Sequence, residues 1–401
     1  MAGEILVIGG GIAGLTAAIE AAEAGKDVIL VEKSPFLGGR VAQLNKYFPK
    51  LCPPFCGLEI FYKRMKGNPK LKVFTNAEVI SVTGEAGNFV VQVKLKPRFV
   101  NDNCTACGAC SEVCPVEVPN EYDFGMSKRK AIYIPHFMAM PFVYAIDAEA
   151  CNRCGECVAA CKYNAIDLNE EEKTITLNPA AIIVATGWKP YDASKLQNLG
   201  YGLPNVVTNM EFERMAAING PTGGKIQKAD GSPIESIAFV QCAGSRDENH
   251  LPYCSLVCCL ASLKQASYVK EQYPDAKVYI FYIDIRASGR YEDFFNKVRE
   301  LGVELIKGKV AKVEQQNGKL VVTAEDTLSG VKVRQEVDMV VLATGMQPSD
   351  RIPGIEYDNY GFVVERDGIY AAGVAKKPMD VALSNESATA AALKAIAAAR
   401  R

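Results

Sequence analysis

The chain has 401 residues, of which 49% are apolar, and carries a formal net charge of −1, 14 cysteines and 2 histidines. That length gives room for two or three domains with sizeable cores. The charge balance argues against a nucleic-acid binder or a polybasic membrane arm, and no apolar run reaches the roughly 18 residues a membrane helix needs.

The chain enters an apolar strand, Ile5–Ile8, almost at once, so no export signal is expected. Gly9-Gly10-Gly11-Ile12-Ala13-Gly14 follows as a G-x-G-x-x-G turn. An alanine-rich helix is predicted over Leu15–Ala24, then a strand, Asp27–Val31, ending in Glu32 and Lys33. In a dinucleotide-binding unit Gly9 permits the turn, Gly11 admits the pyrophosphate and Gly14 lets helix and strand pack closely. The helix N-terminus turns its positive end to the phosphates, and Ile12 and Ala13, in the turn before it, are expected among the cofactor contacts. Glu32 is spaced to hydrogen-bond a ribose hydroxyl. A bare glycine motif is weak, but strand, helix and acid in register make it specific. Gly38-Gly39-Arg40 offers a second glycine approach. Cys52-Pro53-Pro54-Phe55-Cys56 is a loop stiffened by proline. It reads as a thiol pair, as part of another site, or as a turn with two packed cysteines.

After the strand Phe89–Leu95, residues 98–172 hold two cysteine runs. Cys104, Cys107, Cys110 and Cys114 form the first, and Cys151, Cys154, Cys157 and Cys161 the second. Both follow C-x2-C-x2-C-x3-C, the run of a two-cluster ferredoxin, in which the fourth cysteine crosses to the other cluster. One [4Fe–4S] cluster is therefore assigned to Cys104, Cys107, Cys110 and Cys161, the other to Cys151, Cys154, Cys157 and Cys114. Disulfides are disfavoured by the chain's size and the missing export signal. Zinc is the weaker alternative, because four thiolates at this spacing exceed what one zinc takes from a single loop. Pro115 follows Cys114 as expected, whereas Lys162 follows Cys161, a departure that adds a positive charge and tends to raise that cluster's potential. The spacer Phe137–Ile146 reads as packing surface for the insert or as a docking patch. His136 and His250 read as core or solvated side chains.

A second nucleotide-type domain is expected over 235–338, with strands Ser236–Val240 and Lys277–Tyr282. Between them stands Gln241-Cys242-Ala243-Gly244, with a single glycine, so a nicotinamide dinucleotide is not expected to dock, although Asp284 supplies an acid. Cys242, Cys254, Cys258 and Cys259 occupy the vacated place. Three readings stand: a third cluster, a redox dithiol favoured by a helix N-terminus, or buried inert cysteines.

Gly38-Gly39-Arg40, the strand endings Ala185-Thr186-Gly187 and Ala343-Thr344-Gly345, and the closing Gly368–Gly373 before a helix from about Glu386 resemble the thioredoxin-reductase branch of two-dinucleotide-domain flavoproteins. The resemblance implies an α/β fold with FAD as cofactor and an inserted two-cluster ferredoxin-like domain. The FAD-binding domain would run over 1–97, 173–234 and 339–401, around the ferredoxin-like insert (98–172) and the degenerate NAD(P)-type domain (235–338). It implies FAD contacts at the residues above and at the Val79 backbone. The family's Gly-Asp is Gly373-Val374 here, which leaves Asp380 as the candidate for the ribitol contact.

The insert, the glycine-poor second domain and Cys242-x11-Cys254-x3-Cys258-Cys259, with phrases such as Glu112–Glu121 and Lys128–Tyr133, resemble the flavin subunit of heterodisulfide reductases and its relative, the flavin subunit of the quinone-interacting membrane-bound oxidoreductase complex. The compact length looks like the second. That resemblance implies an electron-transfer subunit between membrane quinol and cytoplasmic adenylylsulfate reductase in sulfate respiration. Its partners would be a membrane quinone-binding subunit plus a second flavin/iron–sulfur subunit. It would sit in the cytoplasm, peripheral to the inner face of the membrane. The other reading is an electron-bifurcating subunit of a soluble heterodisulfide-reductase-type complex. An NAD(P)H:ferredoxin oxidoreductase and a cluster scaffold without turnover are further alternatives. In the heterodisulfide-reductase branch a lysine after the motif lies near flavin N5, which implies that role for Lys264, against that of a helix-surface lysine.

Overall fold

In the computed structural model, which describes residues 3–399, the strand Ile5–Ile8 lies at the centre of a five-stranded parallel sheet. The order is Ile369–Ala371, Ala181–Val184, Ile5–Ile8, Val28–Val31, Leu71–Phe74. Three of these strands, Ile5–Ile8, Val28–Val31 and Ala181–Val184, are buried along their whole length. Parallel strands covered on both faces read as unbroken Val/Ile/Leu runs for this reason. The helix after the first strand spans Ile12–Glu23, three residues earlier than predicted. Gly11 ends the turn in an extended conformation, so the helix begins inside the glycine motif itself.

Two compact units are distinguished. The first contains the residues up to Ala42, Phe55–Trp188 and the residues from Pro348 onward. Beside its parallel sheet lies an antiparallel sheet ordered Lys173–Leu177, Asn88–Leu95, Ala77–Glu85. Leu95 pairs with Lys173, so the cysteine-rich insert leaves and re-enters the sheet at one register position. Ala77, Val79, Val91 and Val93 pack with Leu6 and Ile182 in one apolar cluster. The last helix, Val381–Ala398, begins five residues before the predicted Glu386, because Asp380 Oδ1 accepts the Leu383 N–H at 2.8 Å and caps it.

The second unit contains Gln43–Pro54 and Lys189–Gln347. Its parallel sheet runs Val206–Thr208, Met339–Thr344, Ser236–Ala243, Lys277–Tyr282, Glu304–Lys307. The helix Cys258–Gln272 lies between the two central strands in sequence. A three-stranded antiparallel sheet, Val310–Gln316, Lys319–Asp326 and Val331–Val337, completes the unit. Gln43–Pro54 is far from the rest of this unit in sequence, yet Phe48 and Leu51 pack against its apolar core. Among the described residues no helix is long and apolar enough to cross a membrane.

Candidate functional site

The glycine motif forms a double backbone cradle. Gly38 and Gly11 form a β-bridge, and the Gly38 N–H donates to the Gly10 carbonyl at 2.9 Å. A Cβ at Gly39, whose φ is +57°, would stand 2.9 Å from Gly11 Cα. A Cβ at Gly14 would run into the Gly9 carbonyl oxygen. No side chain caps the first turn of Ile12–Glu23, so its N–H groups are left for a ligand. Glu32 Oε2 accepts from Gly10 N–H at 2.5 Å and Oε1 from Ser34 N–H at 2.7 Å. Burial pushes the Glu32 carboxyl upward from its ordinary value, against these hydrogen bonds. The acid is thereby fixed at the end of the second strand, beside the glycine turn. The cradle, uncapped helix and fixed acid fit the pyrophosphate and ribose of a dinucleotide.

The other expected FAD residues distribute around this cradle. Gly373 lies against the helix start, where a Cβ would sit 2.7 Å from Ala13 Cβ. The Thr186 carbonyl accepts from Ser349 Oγ at 2.7 Å, and Ala185 is buried under Gly9. Gly187 turns the chain with φ +70°. Val79 is buried beside a bulge. Lys33 pairs with Glu78 at 2.8 Å. Arg40 Nε donates to the Trp188 carbonyl at 3.3 Å, and its guanidinium lies 5.8 Å from the centre of the Phe124 ring. Asp380 uses its carboxylate as the helix cap described above.

The cysteine-rich insert repeats one loop twice. Ala106 and Arg153 have φ of +54° and +57°, and each donates its N–H to the sulfur of the cysteine two residues earlier at 3.4 Å. Gly108 and Gly155 then turn the chain into short helices that bury Cys110 and Cys157. Cys114 lines the same pocket as Cys151, Cys154 and Cys157, together with Ile132 and Leu168. Cys104, Cys107 and Cys110 lie close enough to act on one another: burial pushes the Cys110 thiol up to about 12, helped by the two neighbouring sulfurs. Cys161 packs into the same apolar core, its sulfur accepting Ala165 N–H at 3.4 Å. Among the described residues no three His, Cys, Asp or Glu side chains close on a single metal ion. Cubane clusters spread their thiolates around a larger core.

The insert is built into the second glycine loop. Arg98 donates to the carbonyls of Pro35 (2.7 Å), Tyr144 (3.0 Å) and Val143 (3.1 Å) and to Thr75 Oγ1 (3.3 Å). The Leu37 N–H donates to the Met140 carbonyl at 2.7 Å, and the Tyr122 hydroxyl donates to the Ala42 carbonyl. Phe36 buries itself among Ala139, Ala145 and Tyr133. The spacer therefore serves as packing surface through Ala139 and Ala145, while Phe137 and Phe142 stay 59% and 49% exposed. His136 is buried against Tyr122 and Phe55, its Nδ1 accepting Met138 N–H. His250 Nδ1 meets the Tyr191 hydroxyl at 2.9 Å.

Four of the remaining six cysteines gather in the second unit, near the carboxyl ends of its central strands. Cys242 closes the strand Ser236–Ala243 with φ +55°, and Cys258 and Cys259 open the helix Cys258–Gln272. Cys254 lies in the preceding loop, its sulfur accepting Leu256 N–H at 3.3 Å. Burial pushes the Cys242 thiol up to about 11, Cys259 upward and Cys258 well above its ordinary value, and the other sulfurs of the group add to this. As free thiols they are disfavoured as thiolates; desolvation outweighs the helix end expected to activate them. Cys52 and Cys56 are both exposed.

Lys264 is not a surface lysine. It is 2% exposed, its Nζ lies 2.9 Å from Glu213 Oε1, and it donates to the Lys46 carbonyl at 2.7 Å. Glu213 also accepts from Gln265 Nε2 at 2.8 Å and from Asn45 N–H at 2.9 Å. Sequence reasoning missed Glu213 and Arg98, because a buried charge has no local signature until its partner is known.

The FAD dependent oxidoreductase family matches residues 4–59, and the 4Fe-4S dicluster domain family matches residues 103–166. Thioredoxin reductase from T. acidophilum superposes with a TM-score of 0.56 at 15% identity, covering 99% of this chain and 98% of that one. The thioredoxin reductase of Lactococcus lactis gives 0.56 at 13% identity, covering 99% of each. The fold is that of a thioredoxin-reductase-like FAD oxidoreductase with a 4Fe–4S dicluster domain. In sequence the chain is 43% identical over 404 residues to an iron-sulfur subunit of the CoB--CoM heterodisulfide reductase of Methanocaldococcus jannaschii, covering 94% of this chain and 61% of the relative. It is 42% identical over 418 residues to the corresponding iron-sulfur subunit from Methanopyrus kandleri, covering 98% of this chain and 64% of that one. The chain thus spans about three-fifths of the curated relatives it matches. It is an FAD and iron–sulfur protein of the oxidoreductase class, similar to this iron–sulfur subunit of heterodisulfide reductases.

Proposed function

We propose that the chain is the flavin and iron–sulfur electron-transfer subunit of a heterodisulfide-reductase-type complex. The observation that carries this reading is the attachment of the two-cluster insert to the segment Pro35–Ala42 through Arg98, Leu37 and Tyr122. A wire fixed to the cofactor's own binding loop keeps a constant distance, and electron transfer depends steeply on distance. FAD, when bound, supplies the exchange between two-electron and one-electron chemistry. This chain's residues bind and hold: Gly9, Gly11 and Gly14 admit the pyrophosphate, Glu32 receives the ribose, and Gly39, Arg40, Ala185–Gly187 and Gly373 wall the site. Cys104, Cys107, Cys110 and Cys161 hold one cluster, Cys151, Cys154, Cys157 and Cys114 the other, and Cys242, Cys254, Cys258 and Cys259 a third. The third assignment is supported by four sulfurs gathered at the strand ends, with Cys242, Cys258 and Cys259 held as thiols by burial, a cost that iron coordination removes. The resemblance gives Lys264 to flavin tuning, and the flavin midpoint potential of Lys264→Met tests that role.

The quinone-linked, sulfate-respiring reading rests on the sequence resemblance. Both curated relatives named above carry the heterodisulfide reductase name, which puts that type of complex first. Purifying the native complex separates the two: a membrane subunit that oxidises a quinol supports the quinone-linked form. The function itself is tested by counting iron, sulfide and FAD anaerobically on the full chain, about twelve irons per FAD being expected for three clusters. Flavin photoreduction should then bring up reduced-cluster signals at low temperature. A reduced flavin with silent clusters would sink the proposal, and flavin bleaching by NADH or NADPH alone would replace it with a nicotinamide-dependent enzyme.

A further inference from the structure

The four-cysteine site has one charged edge and one buried edge. After Cys242 the chain turns through Gly244 and reaches Arg246, whose φ is +56° and whose N–H donates to the Tyr253 carbonyl at 3.0 Å. That turn brings Arg246 Nη1 to 2.9 Å from Asp284 Oδ1. Asp284 stands just past the strand Lys277–Tyr282, and Arg286 Nε lies 3.5 Å from the same oxygen. The Asp284 carbonyl meets the Cys259 sulfur at 3.4 Å, so this aspartate ties both arginines to the cysteine group. The arginines act on the sulfurs: Arg246 on Cys242 and Cys254, Arg286 on Cys259, with the Arg286 N–H also directed at that sulfur. Two cations against one anion leave this edge net positive. The nearby Lys309 is matched by Asp247 at 2.8 Å and adds little to the balance. On the other side Cys258 is buried, its sulfur 3.8 Å from the Thr344 carbonyl.

We propose that Arg246 and Arg286, held on Asp284, form a cationic rim that raises the reduction potential of the cluster bound by Cys242, Cys254, Cys258 and Cys259. This rests on the third-cluster assignment made above. Four thiolates leave a [4Fe–4S] cluster anionic in both states and more anionic once reduced, so fixed positive charge favours the reduced form. The couple takes up one electron with no bond made or broken. The side chains of Arg246, Asp284 and Arg286 are 27%, 47% and 47% exposed, so the effect is screened and weakens with salt. Asp284 opposes the arginines and sets how much of their charge the cluster feels.

The test uses the full chain, reconstituted anaerobically and titrated with dithionite while cluster signals are followed by electron paramagnetic resonance. The signal lost in Cys258→Ala identifies the couple. Arg246→Gln and Arg286→Gln should each move that couple to more negative potential, Asp284→Asn should move it to more positive potential, and Arg246→Lys should leave it near the unsubstituted value. Raising the salt should shrink each shift. Shifts of the same sign for arginine and aspartate variants, or none, at full iron content would overturn the rim while leaving the third cluster standing. About eight irons per unsubstituted chain would overturn both, and is visible before any potential is measured.

Discussion

Removing the Lys264 ammonium should destabilise the second unit far more than removing its whole charge pair. Lys264 and Glu213 lie 2.9 Å apart with side chains only 3% and 2% exposed. In Lys264→Met, Glu213 keeps its hydrogen bonds from Gln265 and Asn45 but loses the counter-charge it is buried with. An uncompensated buried charge costs about 3–5 kcal/mol, whereas replacing both partners with uncharged groups of similar volume is often close to neutral. The double variant Lys264→Met/Glu213→Gln should therefore recover most of the loss, with a coupling energy of at least ~2 kcal/mol in a double-mutant cycle. The single variant also frees the Lys46 carbonyl, which loosens Gln43–Pro54. Urea unfolding followed by circular dichroism gives the energies, and limited trypsin digestion at Lys46 and Lys50 reports the loosened segment. A Lys264→Met penalty below about 1 kcal/mol, with no increase in cleavage, would refute the buried-pair reasoning, since exposed pairs cost that little.

Gly14→Ala forces a Cβ into the Gly9 carbonyl. Overpacking costs about 1–3 kcal/mol, so purified protein should lose FAD roughly tenfold or more, read from the flavin-to-protein absorbance ratio. Cys114→Ser should remove about four irons while leaving the signal of the cluster on Cys104, Cys107, Cys110 and Cys161; loss of both signals would contradict the crossed ligand assignment. Arg98→Met abandons four acceptors on either side of the insert junction. Each unmade bond costs about 1–3 kcal/mol, so thermolysin should cut the stretch 136–146 sooner, and an unchanged rate would argue against the clamp. Asp338 is buried, which pushes its carboxyl up, but Lys319, the Glu235 N–H and the Ser236 hydroxyl outweigh this and hold it below its ordinary value. A lowered folded value means the stability is present above the unfolded value and lost as pH falls through the folded one. Urea midpoints for the second unit should drop below about pH 4, and Asp338→Asn should flatten that drop.

The features legible in the sequence are those whose chemistry is local. The eight ferredoxin-type cysteines are spaced by the loops that present them, and Ala106, Gly108, Arg153 and Gly155 take their matching left-handed conformations within those loops. The glycine turn, its helix and Glu32 likewise fall within 30 residues of one another. Even here the boundaries shifted: the first helix begins within the motif at Ile12, and the last begins at Val381, capped by Asp380.

Tertiary structure decided what depends on partners distant in sequence. Pro35 and Arg98 are 63 positions apart, and Glu213 and Lys264 are 51 apart; nothing in either neighbourhood announces the other. Nothing in the sequence of Gln43–Pro54 marks its partners, yet its Phe48 and Leu51 pack with residues beyond position 200. A helix N-terminus near Cys258 and Cys259 is one reason to read a redox dithiol there, and burial, visible only in the fold, pushes those thiols and Cys242 upward. The physical reason is common to all of these. Backbone conformation and metal-ligand spacing are set by nearest neighbours along the chain. Desolvation and charge pairing are set by whatever the fold brings alongside.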